Sequence, residues 1–120
     1  MKVRAIRGAI TIDENSEQLI YEGTRERLVE IMKRNDIGRD DLISISFSAT
    51  RDLNAAFPAA AARQLGLTET PLMCTNEMEV DGSLARCIGV MVLINTDMDK
   101  ASIKHVYLKG ACVLRPDLTG

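Results

Sequence analysis

The sequence predicts an α+β domain, a mixed five-stranded sheet packed with one long and one short helix. Three observations predict it. Apolar residues recur at helical spacing between Glu17 and Asn35. Five other segments alternate or run nearly continuously apolar, as strands do. A proline at 58 and a glycine at 66 bracket a second, shorter helical stretch.

Met1 to Ile12 is rich in β-branched and small apolar residues and reads as the first strand. Asp13-Glu14-Asn15-Ser16 breaks it. Asn15 or Ser16 can cap the helix that follows, and Glu17 suits the positive end of its dipole. Along that helix Ile20, Thr24, Leu28, Ile31 and Met32 form one stripe, and Glu22, Arg25, Glu26, Glu30 and Lys33 fall elsewhere. Asn35-Asp36-Ile37-Gly38 ends it, with Asn35 or Gly38 able to turn left-handed.

Leu42 to Thr50 predicts the second strand, with Ile43, Ile45 and Phe47 on one face and Ser44, Ser46 and Ser48 on the other. Pro58 to Leu65 is the short helix, closed by Gly66. Thr70 to Cys74, Ala85 to Asn95 and Lys104 to Leu114 complete the strands. The near-continuous apolar character of the last two predicts burial on both faces, by helices or by another subunit.

The 120 residues suit a single domain, 1–120, large enough to bury a core. Aromatics are only 3%, so that core must be aliphatic. A net charge of −2 argues against a nucleic-acid binder. No apolar run approaches the ~20 residues that span a bilayer, and the N-terminus lacks the apolar stretch of a secretory signal. Cys74, Cys87 and Cys112 form no CxxC and leave an odd count, which reads as reduced thiols in a cytoplasmic protein.

Charged residues inside apolar segments carry the chemistry, because an unpaired buried charge is strongly unfavourable. Arg7 lies in Ala5-Ile6-Arg7-Gly8-Ala9, Glu77 in Cys74-Thr75-Asn76-Glu77-Met78, Arg63 after three alanines, and Arg115 in Val113-Leu114-Arg115-Pro116. Together they suggest a pocket for an anion, since arginine grips a carboxylate through two parallel hydrogen bonds. Each has a plainer alternative: Arg7 pairing with a carboxylate across the sheet, Glu77 in a solvated turn, Arg63 on a helix surface, Arg115 pairing with Asp117. His105, the sole histidine, has no partner at ligand spacing, so no metal is expected. Cys74 by default is a small buried hydrophobe, and Tyr107 a half-buried strand residue. No nucleophile elbow, phosphate loop, dinucleotide fingerprint or zinc-protease motif is present.

Several ordered pieces bear a specific likeness. Ile6-Arg7-Gly8-Ala9, Thr50-x-Asp52-Leu53 leading to Ala56-Phe57-Pro58-Ala59, Arg63, Cys74-x-x-Glu77-Met78, Gly82-Ser83-Leu84 with Cys87-Ile88, Asn95-Thr96-Asp97, His105-Val106-Tyr107-Leu108 and Leu114-Arg115-Pro116-Asp117-Leu118 together resemble the monofunctional, AroH-type chorismate mutases. The resemblance implies a homotrimer with a barrel-like core and active sites between subunits. It implies isomerisation of chorismate to prephenate, on the route to phenylalanine and tyrosine, with no cofactor. It further implies that Arg7 binds a substrate carboxylate near the ether bridge, and that Glu77 and the Cys74 thiol meet the ring hydroxyl. Tyr107 would take the side-chain carboxylate. Phe57, Ala59, Met73 and Leu114 would contribute to the substrate pocket, and Arg63 and Arg115 would hold or steer the anion. Two positions depart from the pattern. Ala60 stands where some relatives have lysine. Gly89 stands after Cys87-Ile88, where the family expects an arginine facing the ether oxygen. Arg86, three residues away on a strand, is expected to point to the opposite face. The tail from Pro116 to Gly120 is expected to close over the ligand.

Overall fold

The computed structural model describes residues 1–113. Leu114, Arg115 and the tail thus lie outside the described residues. Strand β1 spans Lys2–Thr11, helix α1 Glu17–Arg34, β2 Leu42–Ala49, α2 Pro58–Gln64, β3 Leu72–Asn76, β4 Cys87–Thr96 and β5 Val106–Leu108. They form one mixed sheet in the order β3-β2-β4-β1-β5. The central strand β4 runs antiparallel to both β1 and β2; β3 lies parallel to β2, and β5 parallel to β1.

Both helices cover one face of this sheet. Ile6, Ile45, Phe47, Val90, Val92 and Ile94 point into a core closed by Leu28 and Ile31 of α1 and Ala59 and Ala62 of α2. Ile10 and Ile88 continue it beside Ile20. Each such aliphatic side chain contributes roughly 1.5–3 kcal/mol by leaving water, so a core with few aromatics suffices. Ser16 caps α1 by accepting a hydrogen bond from the Leu19 N–H at 3.1 Å. At the other end buried Asn35 binds the Ile31 carbonyl (2.9 Å) and both main-chain groups of Lys104 (2.7 and 2.8 Å), tying the helix to the approach of β5. Arg25 of α1 donates to Gln64 of α2, joining the two helices.

Beyond shifts of one or two residues at element ends, which leave Arg86 just before β4, the structure departs from the sequence expectation in three places. The left-handed residue after α1 is Asp36 (φ 51°), not Asn35 or Gly38. An irregularity between Leu42 and Ser44 shifts the register, so Leu42 rather than Ile43 packs on the core. The last strand is three residues long because Lys109 turns left-handed (φ 53°) and Lys109–Val113 winds into a 3-10 helix, with the Gly110 N–H donating to Thr11 Oγ1. On the face away from the helices Cys87 and Gly89 of β4 are buried, while Met91, with Met73 of β3 and Val3 of β1, is exposed in the single chain. We call this the open face. Among the described residues its β5 end is covered, where Ala111 packs on Ala9, Cys87 and Tyr107.

Candidate active site

Strand register places the charged residues. Ile6 faces the helices, so Arg7 faces outward, opposite Met91, which pairs in turn with Ser46, itself opposite Met73. The next row reads Tyr107, Ala9, Gly89, Ser48, Thr75 from edge to edge. Glu77 follows β3, its N–H donating to the Ala49 carbonyl at 2.9 Å, and its carboxylate folds back to accept a hydrogen bond from Ser48 Oγ at 2.8 Å. Arg7 and Glu77 line one cavity of about 230 Å³ with Ser46, Ser48, Thr75 and Met91.

Neither charge is neutralised. Among the described residues Arg7 and Glu77 form no ion pair, so the pairing of Arg7 across the sheet does not occur. Arg7 is held instead through its backbone, whose N–H donates to His105 Nδ1 at 2.9 Å. That contact gives the sole histidine a structural task. No group of three or more acidic, cysteine or histidine side chains able to hold a metal occurs among the described residues.

Gly89 lies between Ala9 and Ser48 in the sheet row, close to the Glu77 carboxylate. A Cβ there would stand 2.6 Å from Ser48 Oγ and 3.9 Å from Glu77 Oε2. A side chain at this position would therefore rise directly beneath the Ser48–Glu77 pair. Arg86 does not serve in its place: its Nε donates to the Ile12 carbonyl at 3.1 Å and its N–H to Asp52. The buried Cys87 thiol, two residues before Gly89, is raised by desolvation; Arg27 and Arg7 pull it down and Glu77 pushes it up.

The other expected site residues separate into a second group. Cys74 lies opposite Phe47 and packs against the helix-side core, so it faces away from Glu77. With Phe57, 72% exposed, it lines a cavity of about 510 Å³ beneath Tyr21 and Leu53. Thr75 borders both cavities. Arg63 is exposed on α2 and forms no ion pair among the described residues, Ala59 is packed into the core, and Met73 is exposed on the open face. Tyr107 is on the open-face row, but its hydroxyl is buried and has no hydrogen-bond partner among the described residues.

A family model described as "Chorismate mutase type I" matches residues 3–118. The chain belongs to the type I chorismate mutase family. It is 46% identical over 117 residues to chorismate mutase AroH of Thermus thermophilus, with 97% of this chain and 96% of that protein covered. It is 42% identical over 120 residues to chorismate mutase AroH of Bacillus subtilis, covering 99% and 94%. A solved chorismate mutase from Clostridium thermocellum superposes with a TM-score of 0.90 at 54% identity, covering 92% of this chain and 98% of that one.

Within this chorismate mutase fold the sequence reading passed over one residue. Arg27 of α1 is buried, and none of its three guanidinium nitrogens has a hydrogen-bond partner among the described residues. Desolvation lowers it to about 10, a shift partly offset by Cys87, Glu26 and Tyr107. Helical spacing carried the signal: residue 27 follows Gly23 by four and precedes Ile31 by four, on the stripe that packs inward.

Proposed function

We propose that this chain isomerises chorismate to prephenate, with Arg7 and Glu77 as the central pair of its site. The observation that carries the reading is that these opposite charges share one small cavity, yet neither has an ion-pair partner among the described residues. The reaction is an intramolecular rearrangement in which one ether bond breaks as one carbon–carbon bond forms. It needs no nucleophile or proton donor. It needs a compact conformer of a doubly negative substrate held in place, and charges set where they develop. Arg7 holds a carboxylate beside the ether oxygen, Glu77 accepts from the ring hydroxyl and offsets positive charge on the ring, and Tyr107 addresses the side-chain carboxylate.

The split of Cys74, Phe57 and Arg63 from Arg7 and Glu77 favours a site completed between subunits. So does the exposure of Met73, Met91 and Val3 on the open face. We therefore place the site in a homotrimer, with Cys74, Phe57 and Arg63 of one protomer facing the Arg7–Glu77 cavity of the next. The reduced state of Cys74, Cys87 and Cys112 suits the cytoplasm. Arg115 and Leu114 remain proposed substrate contacts in this reading.

Gly89 favours a second reading, a homologue that binds dicarboxylates with little turnover. Loss of one preorganised donor costs ~100- to 1,000-fold in rate. Chorismate disappearance and binding of a bicyclic dicarboxylate transition-state mimic, measured on the same purified protein, separate the two. Binding with turnover supports the mutase, binding without turnover supports the binding module, and the absence of both removes both.

A further inference from the structure

Arg27 is a buried cation with no ion-pair partner among the described residues. Its side chain is 1% exposed, its guanidinium nitrogens are unpartnered, and no ion pair reaches it among the described residues. Guanidinium groups stay protonated in proteins, so this is a permanent charge. An isolated buried charge is strongly destabilising, and well-packed apolar residues of similar volume commonly replace such groups with no loss of stability.

Its seat is specific. Arg27 lies on the helix side of β1, against Gly8, where a Cβ would come within 2.7 Å of Arg27 Cδ. On the other side of the sheet the Gly8 carbonyl oxygen is 4.0 Å from the point where a Gly89 Cβ would stand, and Glu77 Oε2 is 3.9 Å from that point. Neither glycine interposes a side chain between Arg27 and the Ser48–Glu77 pair. The Cys87 thiol feels Arg27, Glu77 and Arg7 together, and the Arg27 charge also acts on Tyr107, whose hydroxyl is itself unpartnered.

We infer that Arg27 is a positioning residue for the anion site: its fixed positive charge, held behind Gly8 and Gly89, favours a doubly negative ligand in the Arg7–Glu77 cavity without touching it. This rests on the dicarboxylate-binding reading given above. In a medium of effective dielectric about 20, two unit charges roughly 10 Å apart interact strongly enough to change an affinity about tenfold. No side chain at Gly89 provides positive charge from the open face, so the charge behind the sheet carries more weight.

The test compares wild type with Arg27→Met, Arg27→Gln and Arg27→Lys, using the bicyclic dicarboxylate mimic as probe and thermal melting as the control for folding. The expected result is that Arg27→Met melts about 5 °C higher yet binds the mimic about tenfold more weakly, with KM raised more than kcat is lowered. Arg27→Gln should show the same weakening, so a folding failure of the methionine variant does not remove the test. Arg27→Lys should recover most of the affinity. Neutral variants that bind as tightly as wild type would overturn the inference and leave Arg27 a tolerated core residue. A wild type that does not bind the mimic would overturn the dicarboxylate reading itself, and this inference with it.

Discussion

At position 89 the absence of a side chain leaves a gap beneath Glu77 that a guanidinium could fill. Gly89→Arg is expected to raise chorismate turnover ~100- to 1,000-fold, because the new chain would enter below the Ser48–Glu77 pair. The only tight contact is the Ser48 hydroxyl, which can rotate away. A steady-state assay of both forms checks this, and equal rates would show that residue 89 does not face the reacting bond. Cys87 gives a second outcome. Its thiol is raised by burial, so above the ordinary thiol range the unfolded chain gives up this proton while the native chain keeps it. Stability is then lost as pH rises past about 9. Cys87→Ala should flatten the fall between pH 8 and 9.5 in urea titrations; an unaltered slope would mean other groups set it. Arg7 and Glu77 were legible in the sequence as charges among apolar neighbours. Arg27 was hidden by its surroundings: in a helix dense with Glu, Lys and Arg, one more arginine reads as solvated until it is counted on the inward stripe. The direction of Cys74 was not legible, because it depends on how β3 pairs with β2.

Among the elements, α1 is fixed at both ends by single side chains. Ser16→Ala removes the bond to the Leu19 N–H and should cost about 1 kcal/mol. Asn35→Ala strands the Lys104 N–H and carbonyl that the amide now satisfies, and about 2–3 kcal/mol is expected. Chemical denaturation of the two variants should rank them in that order, and the reverse order would place the weight of α1 on its first turn. Helix and strand identities followed from periodicity because each element has one buried face. The ends were less legible. The stretch from Lys104 to Leu114 reads as extended, but Lys109 turns left-handed, Gly110 N–H donates to Thr11 Oγ1 and the chain coils after Leu108. Ile43 likewise lost its inward place to Leu42 through a shift that alternation alone does not announce.

For the molecule as a whole, the helices occupy one side of the sheet and leave methionines and a valine bare on the other. If the open face meets further copies, sedimentation should give three times the 13.2 kDa of one chain, and Met91→Glu should shift the population toward single chains with loss of turnover. A single-chain mass for the unaltered protein would remove the proposed site between subunits. Strand order was the least legible level, since no local pattern says that the fourth strand goes to the middle. That placement governs how the chain can assemble. Before residues 87–96 are available, β1 with α1 and β2 with α2 and β3 are separate pieces with no hydrogen-bonded ladder between them. A ribosome must therefore deliver about four-fifths of the polypeptide before a continuous interior can close, and until then the early segments wait with oily surfaces uncovered.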